Sequence, residues 1–499
     1  MAILQFESAY QQGVKPLTIT DEEKAAVHRA FTQTPSILQL LSTVRSRRFG
    51  MGYRYESGQP EAMTWGKGKT VVQEKGPTAY VSKMQPHPLS ELEEAIIAWA
   101  ACGPNGVIAA DLPVKGDMST WLCWAGRTIP APCNDVSVDL FIVNDSGTYF
   151  YRPIAERMAP IEITSPDDYW KILKWYREDR VKISDKRIDV GWDSTFDAYG
   201  APHANVVGPW QYNVNRPGST WFLPVADMGF EWFNLLFAAY EWWHVYLMDP
   251  DTGKPCGCDD FVKPGMLELG VPVPLYDELL LLATPGHQVG CLVQNIRLIS
   301  EALGLGAWVF CGLVDDAVLG GYPEVAKGLG FQFIERDPVK NPNKILTSSG
   351  LPGIKEAAVV PSPQFPTAES VLRYVHDVRY KRGAHFSKED NWAIRNQAPY
   401  KPEVMQAILD DPNIKISEWA YEAAVKTVEY IVNKWGVCPA FTNPIQCQFT
   451  AQIHHLDVDY YRTMHAGAGE GNEPFLLTNQ ALNHFKDWHP GEPDPYASR

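Results

Sequence analysis

The chain has 499 residues, of which 45% are hydrophobic, 21% charged and 12% aromatic, a globular composition with ample core material and a length that suits about two to four domains. Its net charge of -15 and pI near 5.3 argue against nucleic acid as a partner, because such a surface does not attract polyphosphate. The nine cysteines are scattered and odd in number, which suits a reduced, cytoplasmic compartment rather than a disulfide framework.

The first residues, MAILQFESAYQQG, show no basic segment followed by a long apolar run, so no secretory signal is expected. Thr20 with Glu23 has capping-box spacing and predicts a helix through Phe31. A short helix over 36–44 then delivers the basic turn Arg45-Ser46-Arg47-Arg48. Residues 49–80, rich in Gly, Lys and Tyr, read as loop with short strands. Ser90 with Glu93 is a second capping box and opens an apolar helix that stops at Gly103-Pro104. Residues 138–144 and 148–151, joined by Asp145-Ser146-Gly147, read as a β-hairpin. Ser165-Pro166 starts a helix through Trp175.

Residues 190–270 read as a large aromatic insertion, Gly-, Pro- and Asn-rich at first and then helical over 230–248. That last stretch is the most apolar in the chain. Glu231, Asn234, Glu241 and His244 within it favour a buried helix over a membrane span. The clearest helix follows, because Val289, Leu292, Val293, Ile296, Ile299 and Leu303 share one face. Gly304 and Gly306 close it ahead of a buried strand over 307–313. Residues 338–366 have linker composition, and helical patterns recur at 367–380, 402–410 and 417–435. The tail after Gly467 is polar and Pro-rich. The expected division is one domain over 1–335, a linker over 336–366 and a mainly helical extension over 367–499.

Three elements carry the chemistry. Arg45-Ser46-Arg47-Arg48 offers guanidinium forks and a hydroxyl that match one phosphate. Gly126-Arg127-Thr128-Ile129-Pro130-Ala131-Pro132-Cys133-Asn134 combines small residues and Pro, which admit a planar ligand, with an Asn that can read a ring edge. Gly290 to Asn295, running on to Gly304-Leu305-Gly306, is a helix with a glycine closure that permits close backbone packing. Each has a plain structural alternative: a solvated basic turn, a loop entering a strand, an ordinary helix end.

Taken in order, these elements resemble the FMN-dependent nitroreductase superfamily, and its azoline dehydrogenase-like branch most nearly. The Arg-Ser-x-Arg turn before Phe49 looks like the family's opening motif. The stretch from Arg127 to Gly147-Thr148-Tyr149-Phe150-Tyr151-Arg152-Pro153 looks like its central loop and hairpin, and Gln294-Asn295 with Gly304-Leu305-Gly306 like its late helix and strand. Ala131 and Pro132 replace the usual small polar pair, and the Lys-Tyr pair of azoline oxidation has no counterpart.

The resemblance implies an α+β fold with a mixed, mainly antiparallel sheet flanked by helices. It implies a homodimer with FMN at the subunit interface. Arg45, Ser46 and Arg48 would hold the phosphate or pyrimidine edge, Pro130 and Asn134 would face the ring, and Gln294, Gly304 and Gly306 would lie near the cofactor. The implied activity is hydride transfer at flavin N5 in two half-reactions, in which NAD(P)H or the substrate gives hydride and a second molecule takes the electrons, with a small aromatic or conjugated organic substrate. No acid or base catalyst is identified. The alternative is a nitroreductase-like scaffold that has lost turnover and serves as a binding or assembly partner.

Three further features compete for attention. His454, His455 and Asp457, with Asp459 and His465 beyond, have metal-ligand chemistry, but adjacent histidines diverge, and packing or hydrogen bonding is the favoured reading. Cys256-Gly257-Cys258 lacks a second thiol pair and reads as a loop with free thiols rather than a zinc site. Trp242 and Trp243 would roof an aromatic substrate if their helix lies over the flavin, and otherwise belong to a core or dimer contact.

Overall fold

In the computed structural model of the chain, the structure describes residues 19–58, 70–72, 74–114, 119–130, 137–151, 163, 165–189, 213–324, 326–342, 346–380, 400–411, 415–467 and 473–496. Three helices begin with a reciprocal capping box: α1 (Asp21–Thr32) at Thr20 and Glu23, α2 (Ile37–Thr43) at Ser36 and Gln39, and α3 (Glu91–Cys102) at Ser90 and Glu93. Each box satisfies backbone donors that the first helical turn would leave without a partner.

A seven-stranded antiparallel sheet forms the centre. Its strands in chain order are β1 (Val138–Asn144), β2 (Gly147–Tyr151), β3 (Arg180–Ser184), β4 (Ser219–Asp227), β5 (Gly306–Phe310), β6 (Ile445–Gln446) and β7 (Thr450–His454). In space they run β5-β7-β4-β1-β2-β3, with β6 also paired to β4. The class is therefore α+β, with helices packed on an antiparallel sheet.

Strand periodicity sends alternate residues to two cores. Leu140, Ile142, Phe222 and Ile453 face α3, α4 (Lys171–Glu178) and α7 (Gly290–Leu303), where they meet Ile96, Tyr176, Leu292 and Ile296. Phe141, Val143, Trp221, Leu223 and Trp308 face the other side with Val318, Phe331 and Ile445. A third core belongs to a helical body. There α5 (Met228–Glu241) meets α6 (Val273–Leu281), α8 (Ala368–Tyr380), α9 (Pro402–Asp410) and α10 (Glu418–Trp435). Two further helices, α11 (Val458–Met464) and α12 (Asn479–Trp488), follow β7.

Several elements differ from the sequence expectation. Strand β4 falls within the expected insertion, yet all nine of its residues are buried between β1 and β7. Pro224 obscures it in the sequence. Proline is tolerated there because the ladder on one side lapses between Phe222 and Ala226. The segment 367–499 carries the expected helices at 368–380, 402–410 and 418–435, and it also supplies β6 and β7 to the sheet. The aromatic helix stops at Glu241: His244 adopts a left-handed φ of 56°, and Val245–Met248 continues as a strand. Helix α12 lies in the tail expected to be merely polar. Among the described residues no helix is long and apolar enough to cross a membrane.

Candidate functional site

The basic turn leaves the end of α2 with its side chains pointing different ways. Arg45 and Ser46 are exposed, and the Arg45 guanidinium donates to the Val44 carbonyl at 2.8 Å. Arg47 turns inward, pairs with Glu301 of α7 and donates to the Leu476 carbonyl, while its backbone N–H donates to the Ala307 carbonyl at 3.1 Å. Arg48 lies over the Trp308 ring, 3.8 Å from its centroid, a cation–π contact. The inner arginine therefore anchors the turn, and the outer Arg45 and Ser46 remain open to solvent.

Helix α7 also holds both ends of the loop expected to face a ring. Asn295 donates to the Thr128 and Ala100 carbonyls, each at 3.0 Å, two residues before the exposed Pro130. A π-helical segment, Leu282–Val289, runs into α7 around Pro285, and Gln288 within it accepts from the Ser137 backbone N–H at 3.0 Å. Proline, lacking an N–H, widens the helix there. Asn134 lies between these anchors but outside the described residues, as do Ala131 and Pro132. Gln294 is half-buried and accepts from Arg297 at 3.1 Å. Asn295 and Glu301 lie about 9 Å apart along the helix axis.

The two glycines have packing roles. Gly304 is the left-handed cap of α7 with φ 79°, where a Cβ would run into the Gln480 carbonyl. Gly306 presses against the His454 ring, which leaves no space for a side chain. Trp242 caps α5 inside the core of the helical body, and Trp243 beside it is partly exposed. Cys256 and Cys258 are buried free thiols in the same body, and burial pushes Cys256 up to about 12, so it stays protonated at neutral pH.

A second cluster assembles four residues from distant parts of the chain. His455 leaves β7, His484 sits on α12, His489 caps the end of α12, and Glu93 sits in the first turn of α3. All four are buried, and their ligand atoms lie within 4.8 Å of one another. The Glu93 carboxylate divides its work: Oε2 accepts from the Ser90 backbone at 2.6 Å, and Oε1 faces the histidines. From Oε1 the distances are 2.9 Å to His484 Nε2, 3.2 Å to His489 Nε2 and 3.5 Å to His455 Nε2. His455 Nε2 and His489 Nε2 are 3.3 Å apart.

The other ring nitrogens face acceptors. His455 Nδ1 donates to the His87 carbonyl at 2.8 Å, His484 Nδ1 to the Leu303 carbonyl at 2.7 Å, and His489 Nδ1 to Glu492 Oε1 at 3.3 Å. Burial alone would raise the Glu93 carboxyl, but His455, His484 and His489 hold it well below the usual range. Burial lowers His455 despite Glu93, and His489 is raised because Glu93 and Glu492 outweigh its own burial.

Adjacent histidines do diverge: His454 turns away toward the Tyr53 ring, 4.9 Å between centroids. Asp457 caps α11, accepting from the Tyr460 backbone at 2.9 Å. Sequence reasoning misses Glu93, His484 and His489. Glu93 shows only its capping role. The usable signals are the four-residue gap between His484 and His489, which fits the H-x3-5-H spacing of metal ligands, and the N-cap Thr478 before a run of helix formers, which marks α12.

No family model and no curated protein matches the chain. Among solved structures it is similar to one called a "putative nitroreductase" from Ralstonia eutropha JMP134, with 15% identity over 57% of this chain and 73% of that one, at a TM-score of 0.25.

Proposed function

We propose that this chain is an FMN-dependent oxidoreductase acting on a small aromatic or conjugated organic substrate, with NAD(P)H as electron donor. One observation carries the reading: α7 and the π-helical segment that runs into it gather the basic turn and the two ends of the 128–137 loop, which the sequence separates widely, through Arg47–Glu301, Asn295–Thr128 and Gln288–Ser137.

FMN, when bound, would supply two-electron hydride chemistry at N5. The chain's part is to bind and orient. Arg45 and Ser46 face solvent and can donate to a phosphate, and Arg48, held on Trp308, adds positive charge. Pro130, at the described end of the loop, would face the ring edge, with Asn134 as the sequence expects. Ile37, Leu38 and Leu41 expose an apolar face on α2 beside this turn, and a second copy of the chain covers it in the proposed homodimer.

The absorbance spectrum of the purified, FMN-reconstituted chain tests the reading. A protein-bound flavin spectrum that bleaches with NAD(P)H is expected. Failure to retain flavin overturns the reading. Retained flavin that neither NAD(P)H nor any reducing substrate bleaches favours the scaffold without turnover.

A further inference from the structure

We infer that Glu93, His455, His484 and His489 bind one divalent transition-metal ion of the zinc class, in a closed site that ties α12 to the sheet. The proposal is independent of flavin binding.

The tautomers are the first argument. A carbonyl or carboxylate can only accept, so each Nδ1 carries its ring proton toward His87, Leu303 or Glu492. A neutral ring then presents a lone pair at Nε2. Two such lone pairs, from His455 and His484, face Glu93 Oε1 inside a buried space, and His489 Nε2, which donates to Oε1 at 3.2 Å, offers a third once an ion displaces that proton. Facing acceptors repel, and positive charge between them, carried by the His489 proton or by an ion that replaces it, resolves the arrangement. His484 Nε2 lies 2.9 Å from Glu93 Oε1, inside the cluster.

Distances are the second argument. Zinc binds imidazole nitrogen and carboxylate oxygen at about 2.0–2.2 Å in tetrahedral sites, which places neighbouring donors roughly 3.3–3.6 Å apart. The separations of 2.9, 3.2, 3.3 and 3.5 Å fall at or slightly inside that spacing. A contraction of a few tenths of an ångström is within the adjustment that binding makes.

The donor set selects the ion. Three imidazoles and one carboxylate suit zinc and its borderline neighbours, whereas copper(I) favours thiolates and calcium favours all-oxygen sites. The ring hydrogen bonds to carbonyls and to Glu492 are the outer partners that orient metal-binding histidines. Four buried protein ligands make a closed, structural centre. Outside it, the half-exposed His87 packs its ring edge-on to His455 and His489, with Nε2 3.7 Å from Glu492 Oε2.

The test uses the full chain, stripped with chelator and titrated with zinc(II) against a chromogenic competitor, then with cobalt(II). The expected result is a single tight equivalent of zinc, cobalt d–d bands of four-coordinate intensity, and a zinc-dependent rise in the thermal unfolding midpoint. His484→Ala abolishes the tight equivalent. Glu492→Gln, which keeps the ligands, weakens zinc roughly 10- to 100-fold. Should His484→Ala not fold, the wild-type cobalt spectrum and Glu492→Gln still decide. No tight equivalent in the wild type, a six-coordinate cobalt spectrum, or zinc binding unchanged in both variants overturns the proposal.

Discussion

Two regions meet the last turn of α7 and treat their polar groups in opposite ways. At the Arg45–Arg48 turn, Arg47 is buried against Glu301, while Arg45 and Ser46 point outward. At the Glu93 cluster, which touches α7 through His484 and the Leu303 carbonyl, the Nδ1 atoms face fixed acceptors outside and the Nε2 atoms face one another and Glu93 inside. A turn with open donors suits a ligand that comes and goes. Inward Nε2 atoms suit an ion that stays. The same helix end supports both arrangements.

The largest effect is expected at the anchor. Glu301→Ala leaves Arg47 buried without its carboxylate and should destabilise the fold by about 3–5 kcal/mol, read from denaturant unfolding. A change within experimental error would mean that the turn is not anchored as described. Arg45→Ala should do the reverse: stability stays put because the side chain is exposed, while FMN affinity falls about 10- to 100-fold. Equal affinity in the variant would remove Arg45 from the phosphate site.

Gly304→Ala separates packing from cofactor contact. The left-handed backbone alone should cost about 1–2 kcal/mol, and the Gln480 carbonyl adds to it. Unchanged stability with weakened FMN binding would return Gly304 to the cofactor.

The smallest effect lies on the other face of the sheet. Burial, with Asp315 beside it, raises Asp316 to about 7, and Asn443 donates to it at 2.8 Å. Between about pH 4 and 7 the folded state keeps a proton that the unfolded state has released. Stability should therefore fall as pH rises through that window. Asp316→Asn keeps the hydrogen bond and should flatten the slope by on the order of 1 kcal/mol per pH unit. An unaltered slope would place the pH dependence elsewhere, with buried Asp277, also raised to about 7, the next group to replace.

The contrast between the two regions also explains what the sequence discloses. Local signals survive well: the capping boxes at Thr20 and Ser90 mark real helix starts, and the 138–151 hairpin lies where its turn residues place it. The basic turn is legible for the same reason, since its four residues are contiguous. Strand β4 is not, because Pro224 and unbroken burial erase the alternation that marks a half-exposed strand. The histidine cluster is hidden more deeply. His489 and Glu93 are 396 residues apart, and no spacing rule reaches across that distance.

Equilibrium titration of FMN with the apo chain, followed by flavin fluorescence, tests the central claim most directly. The account predicts saturable binding of one FMN per chain that weakens in Arg45→Ala, while the variant's unfolding midpoint matches wild type. Absence of saturable binding, or identical curves for the two proteins, would contradict it.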